Sequence, residues 1–229
     1  MSSQIRICLV GATGLVGTTL IEQALHRSEF RIIGVARREV PLPFGARMEM
    51  LIADPAGWAD AIAAARAKVL VCALGTTMRK VGKDEAAFRA VDYDLVIESA
   101  RAAQQAGIRH LIVVSSAGAD RASRHFYLRV KGELEQELGR MRFQRLDILR
   151  PALLRGHRAE SRPLESLGRA LAPLADPFLW GKWRAYHSVR AEMLAQTIFA
   201  LAKEKAGGQF VHDYDAMRRA IRREADKAR

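Results

Sequence analysis

Tyr127 and Lys131 stand four residues apart. On a helix, that spacing puts a phenol and an ammonium on one face. A phenol with an intrinsic pKa near ~10 is a poor acid–base catalyst at neutral pH. A neighbouring cation favours the phenolate and brings that pKa toward neutrality. Ser115-Ser116 closes an apolar run at 110–114, one loop before the helix that would carry Tyr127. A hydroxyl at that strand end can hold and polarise a substrate oxygen while Tyr127 transfers a proton. Ser116 is the expected residue, with Ser115 as its alternative, because register at such a turn is open by one residue. Y-x-x-x-K alone is common on helices and usually structural. Its meaning here comes from what precedes it in the chain.

The chain opens on an apolar run, 5–10, followed by Gly11-Ala12-Thr13-Gly14-Leu15-Val16-Gly17 and a helical pattern over 18–25. Glycines at a strand-to-helix turn let the backbone bend tightly and let a phosphate approach with no Cβ in the way. The helix that follows aims its free N–H groups and positive dipole end at that phosphate. The spacing is G-x-x-G-x-x-G rather than the commoner G-x-G-x-x-G. About 20 residues past such glycines, a site for NAD usually carries an acid on the ribose hydroxyls. Arg37 and Arg38 stand there instead, with Glu39 beyond them. Two guanidinium groups favour a 2′-phosphate through bidentate bonds, so NADP(H) is expected over NAD(H). Lys131 is then also placed to hydrogen-bond the nicotinamide ribose.

Strand and helix patterns alternate along the chain. Apolar runs at 30–36, 48–53, 69–74, 110–116 and 143–149 read as strands. Helical patterns read at 58–65, 84–106, 125–140 and 189–203, with a short last strand at 208–212. The α/β expectation is one Rossmann-type, doubly wound parallel sheet with helices on both faces and a small C-terminal substrate-side extension. Residues 1–151 would form the dinucleotide-binding core, and 152–229 the substrate-side segment and terminal helices. Ligands in such sheets sit outside the carboxyl ends of the strands. That rule gathers the loops 11–17, 37–38, 54–55, 75–77, 115–118 and 151–155 into one site.

These pieces resemble the short-chain dehydrogenase/reductase superfamily in its atypical branch, and most of all the Tat-interacting-protein oxidoreductase subgroup, near the isomerase-like and NmrA-like proteins. The matching stretches are Gly11–Gly17, Cys72-Ala73-Leu74-Gly75-Thr76-Thr77, Val91-Asp92-Tyr93-Asp94, Ser115-Ser116-Ala117-Gly118-Ala119-Asp120, Tyr127-Leu128-Arg129-Val130-Lys131-Gly132-Glu133 and Leu149-Arg150-Pro151. They run from Ile5 to about Pro163. The resemblance implies a dinucleotide held by Gly11, Thr13, Gly14, Leu15, Val16 and Gly17, with Asp54 by the adenine. It implies Leu74, Gly75 and Thr76 along the ribose and nicotinamide, Ser115 nearby, and Pro151, Ala152 and Leu153 past the amide. The fourth-strand turn Ala73-Leu74-Gly75-Thr76 departs from the N-A-G type common in the superfamily.

Composition bounds the rest. A chain of 229 residues suits one α/β domain. Cys8 and Cys72 fall in expected central strands and read as buried thiols in a reducing compartment. No export pattern stands at the N-terminus and no stretch is apolar enough to span a bilayer, so a cytoplasmic protein with no membrane association is expected. The net charge of +12 is scattered, apart from the 217–223 stretch. That stretch reads as a solvated helix, because no aromatic residues interleave with its charges, and nucleic acid is not an expected partner.

The resulting expectation is an NADPH-dependent oxidoreductase acting on a small-molecule carbonyl or alcohol, as a monomer or homodimer. Substrate selectivity would come from 152–187, with Arg155, His157, Arg158, Trp180, Trp183, Tyr186 and His187 as pocket candidates. The rival is a cofactor-binding regulatory protein that acts through a protein partner with little catalysis.

Overall fold

The computed structural model describes residues 4–39, 42–46, 48–155 and 187–227. Seven parallel strands form its sheet: β1 (Ile5–Val10), β2 (Phe30–Ala36), β3 (Glu49–Ile52), β4 (Val69–Cys72), β5 (His110–Val114), β6 (Arg145–Leu149) and β9 (Gly208–His212). Their order is β3-β2-β1-β4-β5-β6-β9. The direction of winding reverses between β1 and β4, where the carboxyl ends diverge and open a crevice. A separate two-stranded parallel pair joins β7 (Leu154–Arg155) to β8 (Val189–Arg190).

Period-2 alternation divides the apolar side chains between two faces. Ile7, Leu9, Ile112 and Val114 pack on one face against α1 (Leu15–Ala24), α6 (Ala191–Ala202) and α7 (Tyr214–Lys227). Cys8, Val10, Leu70 and Cys72 pack on the other. Their partners there are α2 (Trp58–Ala64), α4 (Leu95–Gln105) and α5 (Phe126–Arg140). Both thiols are free and buried, as expected. Burial pushes Cys8 up to about 12 and Cys72 up to about 11, which keeps them protonated and unreactive. Residues 189–227 return to the core: α6 lies against α1, and β9 pairs with β6.

One charged cluster sits inside the apolar frame. The Asp147 carboxylate on β6 is fully buried. It accepts from Arg145 Nε at 2.6 Å and Nη2 at 2.9 Å, and lies 2.7 Å from both His110 Nε2 and His212 Nε2. Burial acts to raise its pKa, but the bonds from the two histidines and from Arg145, with the guanidinium charge, hold it well below the usual carboxylate range. Three adjacent strands, β5, β6 and β9, are tied by this one side chain.

Two elements differ from the sequence expectation. The first helix begins at Leu15 rather than 18, because the last part of the glycine turn is itself the first helical turn. The expected helix over 84–106 is three pieces: α3 (Glu85–Arg89), a π-helical turn (Ala90–Asp94) and α4. A π turn inserts one extra residue and re-aims the side chains it carries.

Candidate active site

A cleft of about 870 Å³ opens at the β1–β4 switch point. Its floor is the glycine turn. Gly11 has φ +92°, and a Cβ there would lie 2.6 Å from the Ala73 carbonyl carbon. Gly17 is required by packing, since its Cβ would lie 2.3 Å from the Gly11 oxygen. Gly14 is different: the nearest atom to a Cβ is 3.4 Å away. The protein's own packing does not demand glycine there, whereas a ligand approaching the backbone would. Gly14 also caps α1 with no side-chain bond, and the first turn of that helix holds no acidic residue. The N–H groups and positive dipole end of α1 therefore face the cleft with no acidic side chain in that first turn.

Arg37 and Arg38 follow β2 and line the cleft at one side, with Leu42 and Pro43 beside them. Both arginines are exposed. Tyr127 and Lys131 also line the cleft, one turn apart on α5. Tyr127 is 37% exposed and meets the Phe88 ring edge-on at 5.7 Å. Lys131 is buried, and its Nζ lies 2.7 Å from Asp92 Oδ1. The other Asp92 oxygen accepts from the Thr76 backbone N–H at 2.7 Å. Asp92 sits within the π turn and is itself buried. It thus ties the loop after β4 to the lysine of α5.

The two serines take different positions. Ser115 lines the cleft, and its hydroxyl donates to Glu135 Oε1 at 2.5 Å. Glu135 also accepts from Arg150 Nε, at 3.0 and 3.1 Å, and from Arg150 Nη2 at 2.5 Å. The Glu135 bond raises the pKa of Arg150. Ser116 lies outside the cleft wall and donates to the Ala117 carbonyl at 3.2 Å, a long bond. The hydroxyl that reaches the cleft is therefore engaged by a carboxylate, and the adjacent one is weakly held.

The loop carrying both serines is pinned on two sides. Ala117 N–H donates to the Pro151 carbonyl at 2.9 Å, and Asp120 N–H to the Leu128 carbonyl at 3.1 Å. Gly132 lets that loop lie directly on α5, since a Cβ there would meet Arg121 N at 2.2 Å and Asp120 C at 2.3 Å. Gly132→Ala is expected to lower stability by about 1–3 kcal/mol through overpacking. Urea denaturation reads the loss, and an unchanged midpoint would contradict the close approach.

Of the other residues expected at the site, Thr13, Leu15, Val16, Leu74, Gly75 and Thr76 line the cleft. Asp54, Pro151 and Leu153 do not. Asp54 precedes the short 3-10 turn Pro55–Gly57 with no side-chain capping bond, Pro151 is buried, and Leu153 is exposed outside the cleft wall. His157, Arg158, Trp180, Trp183 and Tyr186 lie outside the described residues, as does the Arg155 side chain. The His187 ring lies tilted beside that of Tyr214, with centroids 4.9 Å apart.

Residues 11–158 match the family described as NAD(P)H-binding. Protein fmp52, mitochondrial, of Aspergillus niger is 35% identical over 175 residues, which cover 73% of this chain and 74% of that one. Protein HTATIP2 of Rattus norvegicus is 35% identical over 167 residues, covering 71% and 68%. The chain belongs to this NAD(P)H-binding family. Within it, the chain is an atypical short-chain dehydrogenase/reductase of the HTATIP2 type. MoeE5 in complex with UDP-glucose and NAD superposes with a TM-score of 0.68 at 16% identity, over 96% of this chain and 81% of that one. At that identity the superposition speaks to the fold alone.

The family assignment corrects one expectation. The relatives from Aspergillus niger and Meyerozyma guilliermondii are named mitochondrial, which points away from a purely cytoplasmic location. A missing secretory pattern speaks to one route only and leaves organelle targeting open. No helix among the described residues is long and apolar enough to cross a membrane.

The cleft fits the dinucleotide that the family implies. Gly14 leaves open space at a helix N-terminus that no side chain caps, and Arg37 and Arg38 bring two positive charges to the cleft after β2. Reasoning from sequence gave no role to Asp92, Glu135 or Lys80, although Asp92 and Lys80 line the cleft. The signal for Asp92 was present as an acid inside an otherwise amphipathic helix, at a position that only the π turn brings to the cleft.

Proposed function

We propose that this atypical short-chain dehydrogenase/reductase is an NADPH-dependent oxidoreductase acting on a small carbonyl or alcohol. The observation that carries the reading is the meeting of three features in one cleft. They are the uncapped glycine turn, the Arg37–Arg38 pair, and Tyr127 with Lys131 on one face of α5. A bound nicotinamide supplies the hydride. Tyr127 gives its hydroxyl proton to the substrate oxygen in reduction and takes it back in oxidation. Lys131 donates to the ribose and fixes the face of α5 toward it. Ser116, with Ser115 as its alternative, donates to the reacting oxygen. Ser116 would have to turn from the Ala117 carbonyl into the cleft to do so, whereas Ser115 already lines the cleft but donates its hydrogen bond to Glu135.

Titration of the whole chain with NADPH and NADH, followed by nicotinamide fluorescence, tests the cofactor assignment. Tight NADPH and weak NADH binding is expected. Arg37→Ala is expected to weaken NADPH about tenfold or more, the loss of charged hydrogen bonds, while leaving NADH nearly unchanged. Equal affinity for both nucleotides would demote the arginines to surface groups and assign the site to NAD.

A second reading, a cofactor-sensing protein with little catalysis, is favoured by one observation. Asp92 neutralises the ammonium on which proton transfer by Tyr127 relies. A carbonyl screen with NADPH separates the two, since a sensor binds the nucleotide but oxidises it with no substrate.

A further inference from the structure

Lys131 and Asp92 form an ion pair whose side chains are 4% and 1% exposed. Taking two charges out of water costs several kcal/mol per ion, and their attraction offsets that only with good geometry and further hydrogen bonds. Both conditions are built into the fold. The Thr76 N–H satisfies the second carboxylate oxygen, and the π turn carries Asp92 to the cleft wall. A lysine that served only to reach ribose hydroxyls needs no buried carboxylate behind it. The pair changes the electrostatics of the cleft: with Asp92, the α5 side presents no net charge where Lys131 alone would present one positive charge.

That difference matters to only one form of the cofactor. The oxidised nicotinamide ring is cationic, the reduced ring is neutral, and the rest of the dinucleotide is common to both. A fixed charge in the cleft therefore acts on the ratio of the two affinities. An uncompensated ammonium disfavours the oxidised form, an uncompensated carboxylate favours it, and a neutral pair does neither.

We propose that Asp92 is a positioning and charge-compensating residue that lets the cleft admit the oxidised cofactor as readily as the reduced one. The inference rests on the dinucleotide reading of the cleft. It assigns to Asp92 control over the redox poise of the bound couple, separately from any part in holding Lys131 in place.

Dissociation constants for NADPH, by nicotinamide fluorescence, and for NADP+, by competition against it, test this on the full chain. The variants are Asp92→Asn, Lys131→Met and the double substitution. Asp92→Asn is expected to raise the ratio of the NADP+ constant to the NADPH constant about tenfold. That moves the midpoint of the bound two-electron couple positive by about 30 mV. Lys131→Met is expected to lower the ratio by a similar factor, and the double substitution to return it to within about threefold of the parent. The double variant buries no lone charge, so the comparison survives if one single variant fails to fold. Equal weakening of both nucleotides in every variant would make Asp92 a purely structural residue and overturn the proposal. Binding of neither nucleotide by the unsubstituted chain would instead overturn the dinucleotide reading, and the proposal with it.

Discussion

Tyr127→Phe is expected to cut turnover of a carbonyl substrate by roughly a thousandfold, within the range that positioned acid–base groups contribute. NADPH affinity is expected to stay within about threefold, because the phenol oxygen takes no part in seating the dinucleotide in the proposed arrangement. The ring itself packs edge-on to Phe88, and phenylalanine keeps that contact. Loss of the hydroxyl therefore tests chemistry rather than packing. Steady-state rates with NADPH and a carbonyl panel, set beside fluorescence titration of the same protein, give both quantities. Equal loss of turnover and affinity would remove Tyr127 from the proton-transfer role.

The second large effect concerns stability. Asp147→Asn is expected to cost about 3–5 kcal/mol at neutral pH, since it leaves the buried Arg145 guanidinium without its counter-charge. His110, His212 and Arg145 all face this one carboxylate, and among the described residues no other acid is paired with them. The pH dependence follows from the depressed pKa. A carboxyl that is more acidic folded than unfolded contributes stability fully above its unfolded value, near ~3.9. That stability is lost as the pH falls toward the folded value. The gap between the parent and Asp147→Asn in urea denaturation is therefore expected to be wide at pH 5 and narrower at pH 3. A gap of constant width would mean that shape, not charge, makes Asp147 necessary.

The sheet was legible because each buried strand is a short apolar run bounded by turn residues. The glycine turn was legible because Gly11 and Gly17 answer to close backbone approaches that no other residue permits. The register of Tyr127 and Lys131 followed from the helical period alone. What stayed hidden depends on contacts far apart in sequence. Apolar periodicity over 84–106 is continuous through the π turn, so nothing local marks the extra residue. Its reason lies in the Thr76 N–H and the Lys131 ammonium, which Asp92 must reach together. Asp147 was hidden in the same way. An acid within the β6 run reads as a solvent-facing position until His110 and His212 are brought alongside from strands 37 and 65 residues away in the chain. Ser115 and Ser116 are identical in type and adjacent, and only the fold distinguishes them, by the Glu135 bond and by the place of Ser115 in the cleft wall.

The place of β9 at the end of the sheet also bears on how the chain acquires its structure during synthesis. β6 is translated well before its outer neighbour, and His212 reaches Asp147 only once residues 208–212 have been made. Until then the nascent sheet ends on an apolar, unpaired edge with a partly satisfied carboxylate beneath it. Such an edge is a template for pairing with another chain. Late, long-range strand addition is also slow. The ribosome-bound chain is thus at its most aggregation-prone in the interval between β6 and β9. A chaperone that shields that edge would protect it most in that interval.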